Sequence, residues 1–554
     1  MLALTVATGT TLDGCADWSG ITPHTPTLAA NDLDAGRTLR DAGAHATTRA
    51  AADANAQWPT REWWRAYRDP QLDQLVRAAI DGSPTQTIAA ARLREALAIA
   101  GEAHAATLPT LDASANLSRE HWPESGYYEG SFAGENNFNN TATLRFDYPL
   151  DLYGAKRHGA ERAIDTAQAL AADARAAQLS LESNVVRAYI QFSLQYALRD
   201  VAQRTLADQQ RVRDFAQRRF QAGIGTQLEI SQAQTPLPQS ELALEQIDEA
   251  IALSRNQLAA LIGQGPGAGD ALHPPALHFD AAGAIALPST LPAELIGHRP
   301  DVVAMRWQIE AQARAVDVQQ AAFYPNVDLV ASAGAMAVSP VFTSFAHLSS
   351  VGSSFGPAIS LPIFEGGRLR ASLGAAAAGY DLAVGQYNDA VVRALHEIAD
   401  QVLTFQSLER QQAAAARAIA TAQRSFDLAT MGFTRGLTDY LNVLSAEDGL
   451  LREEQTVKRL QASRFTAYAD LMTALGGGLA QPGDAPRAQP PRIMLHDPHA
   501  ATARDGAAST SETTGGTPDA TASGRTTSDA AASSAAASGA AVSSAATPSL
   551  APVQ

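Results

Sequence analysis

Cysteine is almost absent. Cys15 is the single one among 554 residues, so no disulfide can form within one chain. Aromatic residues are scarce too, 6% against 46% hydrophobic, because alanine dominates the apolar content. Compact enzyme cores lean on Leu, Ile, Val and Phe, so an Ala-heavy chain points to long, closely packed helices. Positive charge is in short supply: Lys and Arg number 41 against 57 Asp and Glu, a formal net charge of -16. Without basic patches no nucleic-acid partner is expected, and no polybasic stretch addresses anionic lipid. No run of about 18 apolar residues occurs, which excludes a transmembrane helix. Any membrane crossing then has to be a closed β-barrel, the other structure that satisfies all backbone polar groups in lipid. The histidines are scattered without metal-ligand spacing, so neither metal nor cofactor is expected.

What the sequence does contain is repetition. Pro149 and Gly154 recur as Pro362 and Gly367, both at an offset of 213 (362-149 and 367-154). Gly223, Leu228 and Gln234 align with Gly436, Leu441 and Glu447 at the same 213, as does Leu261-Ile262-Gly263 with Ala474-Leu475-Gly476. Upstream, Leu108-Pro109-Thr110-Leu111-Asp112 matches Tyr324-Pro325-Asn326-Val327-Asp328, and Pro84 matches Pro300, both at 216 (300-84). The step from 216 to 213 places a three-residue length difference between Asp112 and Pro149.

One unit reads as helix, strand hairpin and long helix hairpin. Pro84 suits a first helical turn, and Ile88, Ala91, Leu93, Leu97 and Ala100 follow at helical spacing within Thr85–Ala106. Pro300 opens the second copy, through about Ala322. Leu111, Ala113, Ala115 and Leu117 then alternate with Asp112, Ser114, Asn116 and Ser118, a strand period of two. Val327–Gly334, Thr141–Tyr148 and Phe355–Leu361 repeat it. Each strand spans about 8–10 residues, the length a tilted strand needs to cross the hydrocarbon layer. The connections, Arg119–Asn140 and Met336–Ser353, are long. The first carries Trp122, Tyr127, Tyr128, Phe132 and Phe138, as outer loops with interfacial aromatics do. Tyr153–Ala222 and Gly367–Phe433 lack proline, so each predicts a helix of roughly 65–70 residues, on the order of 100 Å long. Gly223-Ile224-Gly225-Thr226 and Gly436-Leu437-Thr438-Asp439 end them, and antiparallel helices return. Pro236 and Pro238 should kink or interrupt the first return; the second has no counterpart.

Two units supply four membrane strands, and four leave open edges that lipid does not tolerate. Copies of the chain must share a barrel. Two copies give 8 strands, three 12 and four 16, and eight leave an interior filled with side chains. These arguments do not choose between three and four.

Several motifs resemble the trimeric outer-membrane efflux factors, TolC/OprM-like, and most closely their NodT-type lipoprotein subgroup. They are Trp63-Trp64-Arg65 with Asp69-Pro70-Gln71-Leu72, Leu291-Pro292-Ala293-Glu294-Leu295 with Arg299-Pro300-Asp301, Ala321-Ala322-Phe323-Tyr324-Pro325, Leu361-Pro362-Ile363-Phe364-Glu365-Gly366-Gly367, and Gly436-Leu437-Thr438-Asp439-Tyr440-Leu441. The resemblance covers roughly residues 58–478. It implies a mainly α fold with a membrane β-barrel part: a homotrimer with a 12-stranded barrel and a periplasmic α-helical tunnel. It also implies docking onto a periplasmic adaptor (membrane fusion) protein and an inner-membrane pump. In the family the second hairpin narrows to a gate. Leu441 matches its Leu position, while Asn442 and Ser445 fall where relatives often carry Asp, with Asp439, Glu447 or Asp448 as nearby sources of charge. Gly223 and Thr226, with Gly436 and Asp439, mark the tips where the adaptor would dock. A passive duct for small toxic compounds is expected, ahead of a protein-secretion channel or a structural envelope protein, with no catalytic residue.

Cys15 ends Leu12-Asp13-Gly14-Cys15, after the apolar Leu2–Val6. This resembles a bacterial lipobox, whose thiol takes a diacylglycerol, and makes Cys15 the candidate lipidation site. No Lys or Arg precedes it, so residues 1–15 are expected to be a signal segment starting upstream of Met1. A flexible segment follows at 16–57, then repeats at 58–263 and 291–478, a linker at 264–290 and a disordered Ala/Ser/Thr-rich tail at 479–554. Gly352-Ser353-Ser354-Phe355-Gly356 matches G-x-S-x-G, but leads into a strand from a Ser-rich loop rather than sitting between strand and helix. Gly263, Gly265 and Ala268 loosely match a dinucleotide fingerprint, but follow a helix and run into Pro274-Pro275.

Overall fold

The computed structural model describes residues 18–28, 61–125, 133–277 and 297–477. Cys15, Tyr127, Tyr128, Phe132, the Leu291–Leu295 motif and the tail 479–554 lie outside the described residues.

Helices α1 (Pro70–Gly82) and α2 (Pro84–Ala105) each open on a proline, whose missing N–H is unneeded in a first turn. Asp69 caps the first by accepting from Gln71 N at 2.9 Å, and Ser83 caps the second. Ala96 and Ala100 of α2 are buried, whereas Ile88 is exposed.

Strands β1 (Thr110–His121) and β2 (Asn136–Pro149) form one antiparallel hairpin, and β3 (Asn326–Ser339) and β4 (Val351–Ser360) the other. β2 also pairs with β3, so the two copies merge into one sheet ordered β1-β2-β3-β4. Directly opposed residues share a face, and the register aligns the four alternations. Leu111 opposes Phe146, Phe146 opposes Ala331 and Ala331 opposes Phe355, making one apolar row across the sheet. On the other face Asp112, Arg145, Ser332 and Ser354 form a polar row. Ser114 and Thr143 hydroxyls bond across that face at 2.8 Å, as do those of Ser332 and Ser354. Gly334 is required where it stands, because a Cβ there would sit 2.3 Å from the Ala142 carbonyl oxygen.

The strands have 12, 14, 14 and 10 residues, longer than expected in three cases. Both ends of the expected first loop joined the sheet. Asn139 and Asn140 are poor strand formers, but their side-chain amides bond to Glu120 (3.3 Å) and the Phe342 carbonyl (3.1 Å). Residues 122–135 connect the first hairpin and only 340–350 the second, which is where the three-residue difference falls.

Helices α3 (Ala155–Gln221) and α7 (Arg368–Thr434) each have 67 residues, about 100 Å at 1.5 Å per residue. The first hairpin returns through α4 (Gln227–Gln234) and α5 (Pro236–Leu261), the second through α8 (Tyr440–Ala474); α6 (Pro300–Ala321) precedes β3. The helix is interrupted at Thr235, as the prolines require, while α8 is continuous. Buried residues of α7 run Val391, Leu395, Ile398, Val402, Phe405, alternating steps of four and three as in a coiled coil.

The main core lies midway along these helices, joining Trp63, Trp64 and Tyr67 to Tyr189, Phe192, Phe405 and Phe465. The family motifs tie it together. Buried Asp69 also accepts from the Tyr189 hydroxyl (2.6 Å) and Ala276 N (3.0 Å). Arg299 donates to Asp301, Glu397 and the Ala474 carbonyl.

Two connecting segments differ from expectation. Residues 18–28, assigned to a flexible segment, lie against α7: Asp381 accepts from His24 N and Thr25 N, and Asn388 from Leu28 N, each at 2.8 Å. Trp18 and Ile21 pack beside Val316, Phe323 and Leu373, near the strand bases. The start of the expected linker forms a 3-10 helix, Pro266–Ala271, and Leu277 joins the main core. Side-chain oxygens far away in sequence that accept from backbone N–H groups, and one buried leucine, hold what composition alone leaves loose.

Candidate functional site

The two tips are built by the same local chemistry. At the first, Gly223 takes φ 75°, and Gly223 N and Ile224 N bond to the Phe220 and Arg219 carbonyls at 2.9 and 3.1 Å. At the second, Gly436 takes φ 74°, and Gly436 N and Leu437 N bond to the Phe433 and Gly432 carbonyls at 3.0 and 2.8 Å. Both are left-handed glycine caps that satisfy the last carbonyls of a helix. Thr226 then accepts from Glu229 N at 3.2 Å and Asp439 from Asn442 N at 3.3 Å, starting the return helices. The tip residues singled out by sequence therefore have a structural role at each end of the turn.

Leu441 is 50% exposed, so within one chain it is not an interhelical core residue. Leu228, its counterpart in the first copy, is equally solvent-facing, as are Ile224 and Leu437 at the turns. Asn442 and Ser445 are exposed beside Leu441. The Asn442 amide also donates to Asp439 at 2.8 Å. Of the three acids considered as sources of charge, Asp439 is a cap and Glu447 is buried. Asp448 shares the exposed side with Leu441 and pairs with Arg452.

A cluster not anticipated from sequence joins the tips. Ala216, Ile230 and Ala233 of the first hairpin pack with Phe433, Tyr440 and Val443 of the second. The Arg219 guanidinium lies 5.2 Å from the Phe433 ring centre and 6.0 Å from that of Phe215. Burial raises the Tyr440 hydroxyl to about 12, helped by the negative charge of Glu447. A basic residue in the last turn of α3 is a sequence signal for the helix dipole; its reach across to the second hairpin is not.

Among the described residues no group of His, Cys, Asp or Glu has metal-binding geometry, and no helix is long and apolar enough to cross a membrane. Gly352–Gly356 lies inside β4, so its G-x-S-x-G spacing makes no nucleophile elbow.

The chain thus joins one amphipathic four-stranded sheet to helices about three times as long as a bilayer's hydrocarbon core is thick. The Outer membrane efflux protein family model matches residues 75–264 and 291–477. The chain belongs to that family. It is 50% identical over 380 residues to the fusaric acid resistance protein FusA of Burkholderia cepacia, covering 68% of this chain and 69% of the relative. With the multidrug resistance outer membrane protein MdtP of Escherichia coli K12 it shares 30% identity over 442 residues, 77% of this chain and 88% of the relative. Among solved structures, the outer membrane protein VceC of Vibrio cholerae superposes with a TM-score of 0.70 at 34% identity, covering 76% of this chain and all of that one. The protein is thus an outer-membrane efflux channel component with a periplasmic helical portion.

Proposed function

We propose that three copies close a 12-stranded barrel and extend it as an α-helical duct, giving small toxic compounds a passive route across the outer membrane. The open sheet carries this reading. It is apolar on one face through all four strands, and each outer strand, β1 and β4, has a neighbour on one side only. Lipid penalises such edges, and β4 of one copy can pair with β1 of the next. The duct performs no catalysis; an inner-membrane pump supplies energy through a periplasmic adaptor. The exposed Ile224, Leu228 and Leu437 support adaptor docking at Gly223–Thr226 and Gly436–Asp439. Exposed Leu441, with Asn442 and Ser445, supports a constriction at the second tip. Cys15 precedes Trp18 by three positions, and Trp18 packs at the strand bases, which supports a lipid anchor at the membrane surface. The relatives named for fusaric acid and multidrug resistance favour small compounds over secreted protein. Purified full-length protein in a planar bilayer should give discrete conductance steps, and chemical cross-linking should stop at three chains. Inserted protein without conductance would refute the duct.

A further inference from the structure

At the second tip α8 turns Tyr440, Val443 and Glu447 inward, the three-and-four rhythm of an interhelical core. The third member of that row is a carboxylic acid. Glu447 is 6% exposed, and neither carboxylate oxygen has a hydrogen-bond partner. It borders a cavity of about 350 Å³ between α3, α7 and α8.

The charged groups facing that cavity are otherwise occupied. From α3, Arg211 pairs with Asp208, and Arg204 pairs with Asp200 at 3.2 Å and Glu454 at 4.0 Å. On α8 itself, Asp448 pairs with Arg452, and the buried Tyr440 hydroxyl has no partner. α7 turns neutral Gln423 and Phe426 toward the cavity. Buried Gln209 of α3 accepts from Ser240 of α5 at 2.7 Å, and its amide approaches Glu447 without a bond of normal geometry. The counterpart of Glu447 in the first copy, Gln234, is exposed. Of the two matching positions, only the one in the second hairpin therefore carries a buried acid.

We propose that Glu447 is a proton-operated latch between the two hairpins: uncharged, it lets α8 lie against α3 and holds the second tip closed; ionised, it drives α8 off that seam and widens the tip. The latch rests on the reading of this tip as the constriction of a duct. Burial raises the carboxyl from 4.5 to about 7, and Asp448 pushes the same way, while Gln209 opposes weakly. The closed form thus holds its proton more tightly than an open form in which the carboxyl meets water. Linkage then favours closure by up to about tenfold per pH unit as pH falls from about 7 toward 4.5, with no further change outside that window.

The test is planar-bilayer recording of the full-length protein from about pH 5 to 8.5. Wild type should open several-fold more above pH 7 than at pH 5. Glu447→Gln and Glu447→Leu should be flat and closed, while Asp448→Asn, which removes only the secondary push on Glu447, should move the window to slightly lower pH and keep the slope. Matching thermal midpoints would show that each variant folds; if Glu447→Leu fails to assemble, the isosteric Gln variant still decides. A flat wild-type profile, or a slope that survives Glu447→Gln, would overturn the latch. Absence of conductance at every pH would instead overturn the duct itself.

Discussion

Removing Arg299 should cost about 2–4 kcal/mol of stability. The residue is 8% exposed and its guanidinium donates four bonds: two to Asp301 at 3.0 and 2.8 Å, one to Glu397 at 2.8 Å and one to the Ala474 carbonyl at 3.0 Å. These bonds join the start of α6 to the middle of α7 and the end of α8. Breaking a fully buried pair costs roughly 3–5 kcal/mol. That figure must be discounted, because the Asp301 and Glu397 side chains are 45% and 53% exposed and would rehydrate. Ala474 is itself buried, and orphaning its carbonyl adds about 1–3 kcal/mol. Arg299→Ala, read by urea unfolding of detergent-solubilised protein, should fall in that range. Arg299→Lys should be intermediate, since an ammonium keeps the charge but loses the fork.

Acidity adds a second check. Burial alone would raise the Asp301 carboxyl, but the Arg299 bonds and charge hold it below the ordinary 3.8. A depressed carboxylate contributes stability that is present above its unfolded value and lost as pH falls through its folded one. The gap between wild type and Arg299→Ala should therefore be constant above about pH 5 and shrink below about pH 4. A variant as stable as wild type at pH 7, or a gap that widens in acid, would refute the clamp.

Leu441→Ala should loosen the second tip, raising basal conductance and antibiotic leakage; no change in either would remove Leu441 from the constriction. Phe355→Arg places a charge on the apolar face of β4 and should cost about 2–4 kcal/mol of membrane assembly, whereas Ser354→Arg on the polar face should assemble normally. Equal yields in outer-membrane fractions would show the faces to be misassigned. Gly436→Val forces a β-branched residue to φ 74° and should cost about 1–2 kcal/mol at the second tip, read as a lowered thermal midpoint. A midpoint equal to that of wild type would count against the strain.

The parts legible in the sequence are those whose signals are local and periodic. Alternation at Leu111–Ser118 and the absence of proline over Tyr153–Ala222 each describe one element without reference to any other. Copying at 213 and 216 then turned weak strand signals into pairs that had to agree. The core was not legible in this way. Asp69 draws together residues from Tyr189 and Ala276, and residues 18–28 dock on Asp381 and Asn388 more than 350 positions away. No window along the chain contains those contacts. The motifs Asp69-Pro70 and Arg299-Pro300-Asp301 stood out by resemblance, and their work proved to be holding helices together. Glu447 was visible as an acid near the tip; that it points inward depends on α3, which sequence spacing does not include.

The duplicated unit accounts for the architecture, and its departures account for where motion can arise. Both tips use the same glycine cap and the same exposed leucine position, so neither feature distinguishes the hairpins. The return helices do. In the first copy Pro236 interrupts the backbone ladder about two turns after the tip, so no unbroken row of hydrogen bonds ties tip to stem. In the second, α8 runs 35 residues without a break, about 50 Å of rod. Arg299 fixes its far end through the Ala474 carbonyl, and the Tyr440, Val443 and Glu447 seam holds its near end. A rod fixed at one end transmits a change of packing at the other as displacement rather than as local bending. On the proposed latch, the buried, unpartnered acid of that seam therefore sits at the end of the rod where a change of packing would displace the second tip.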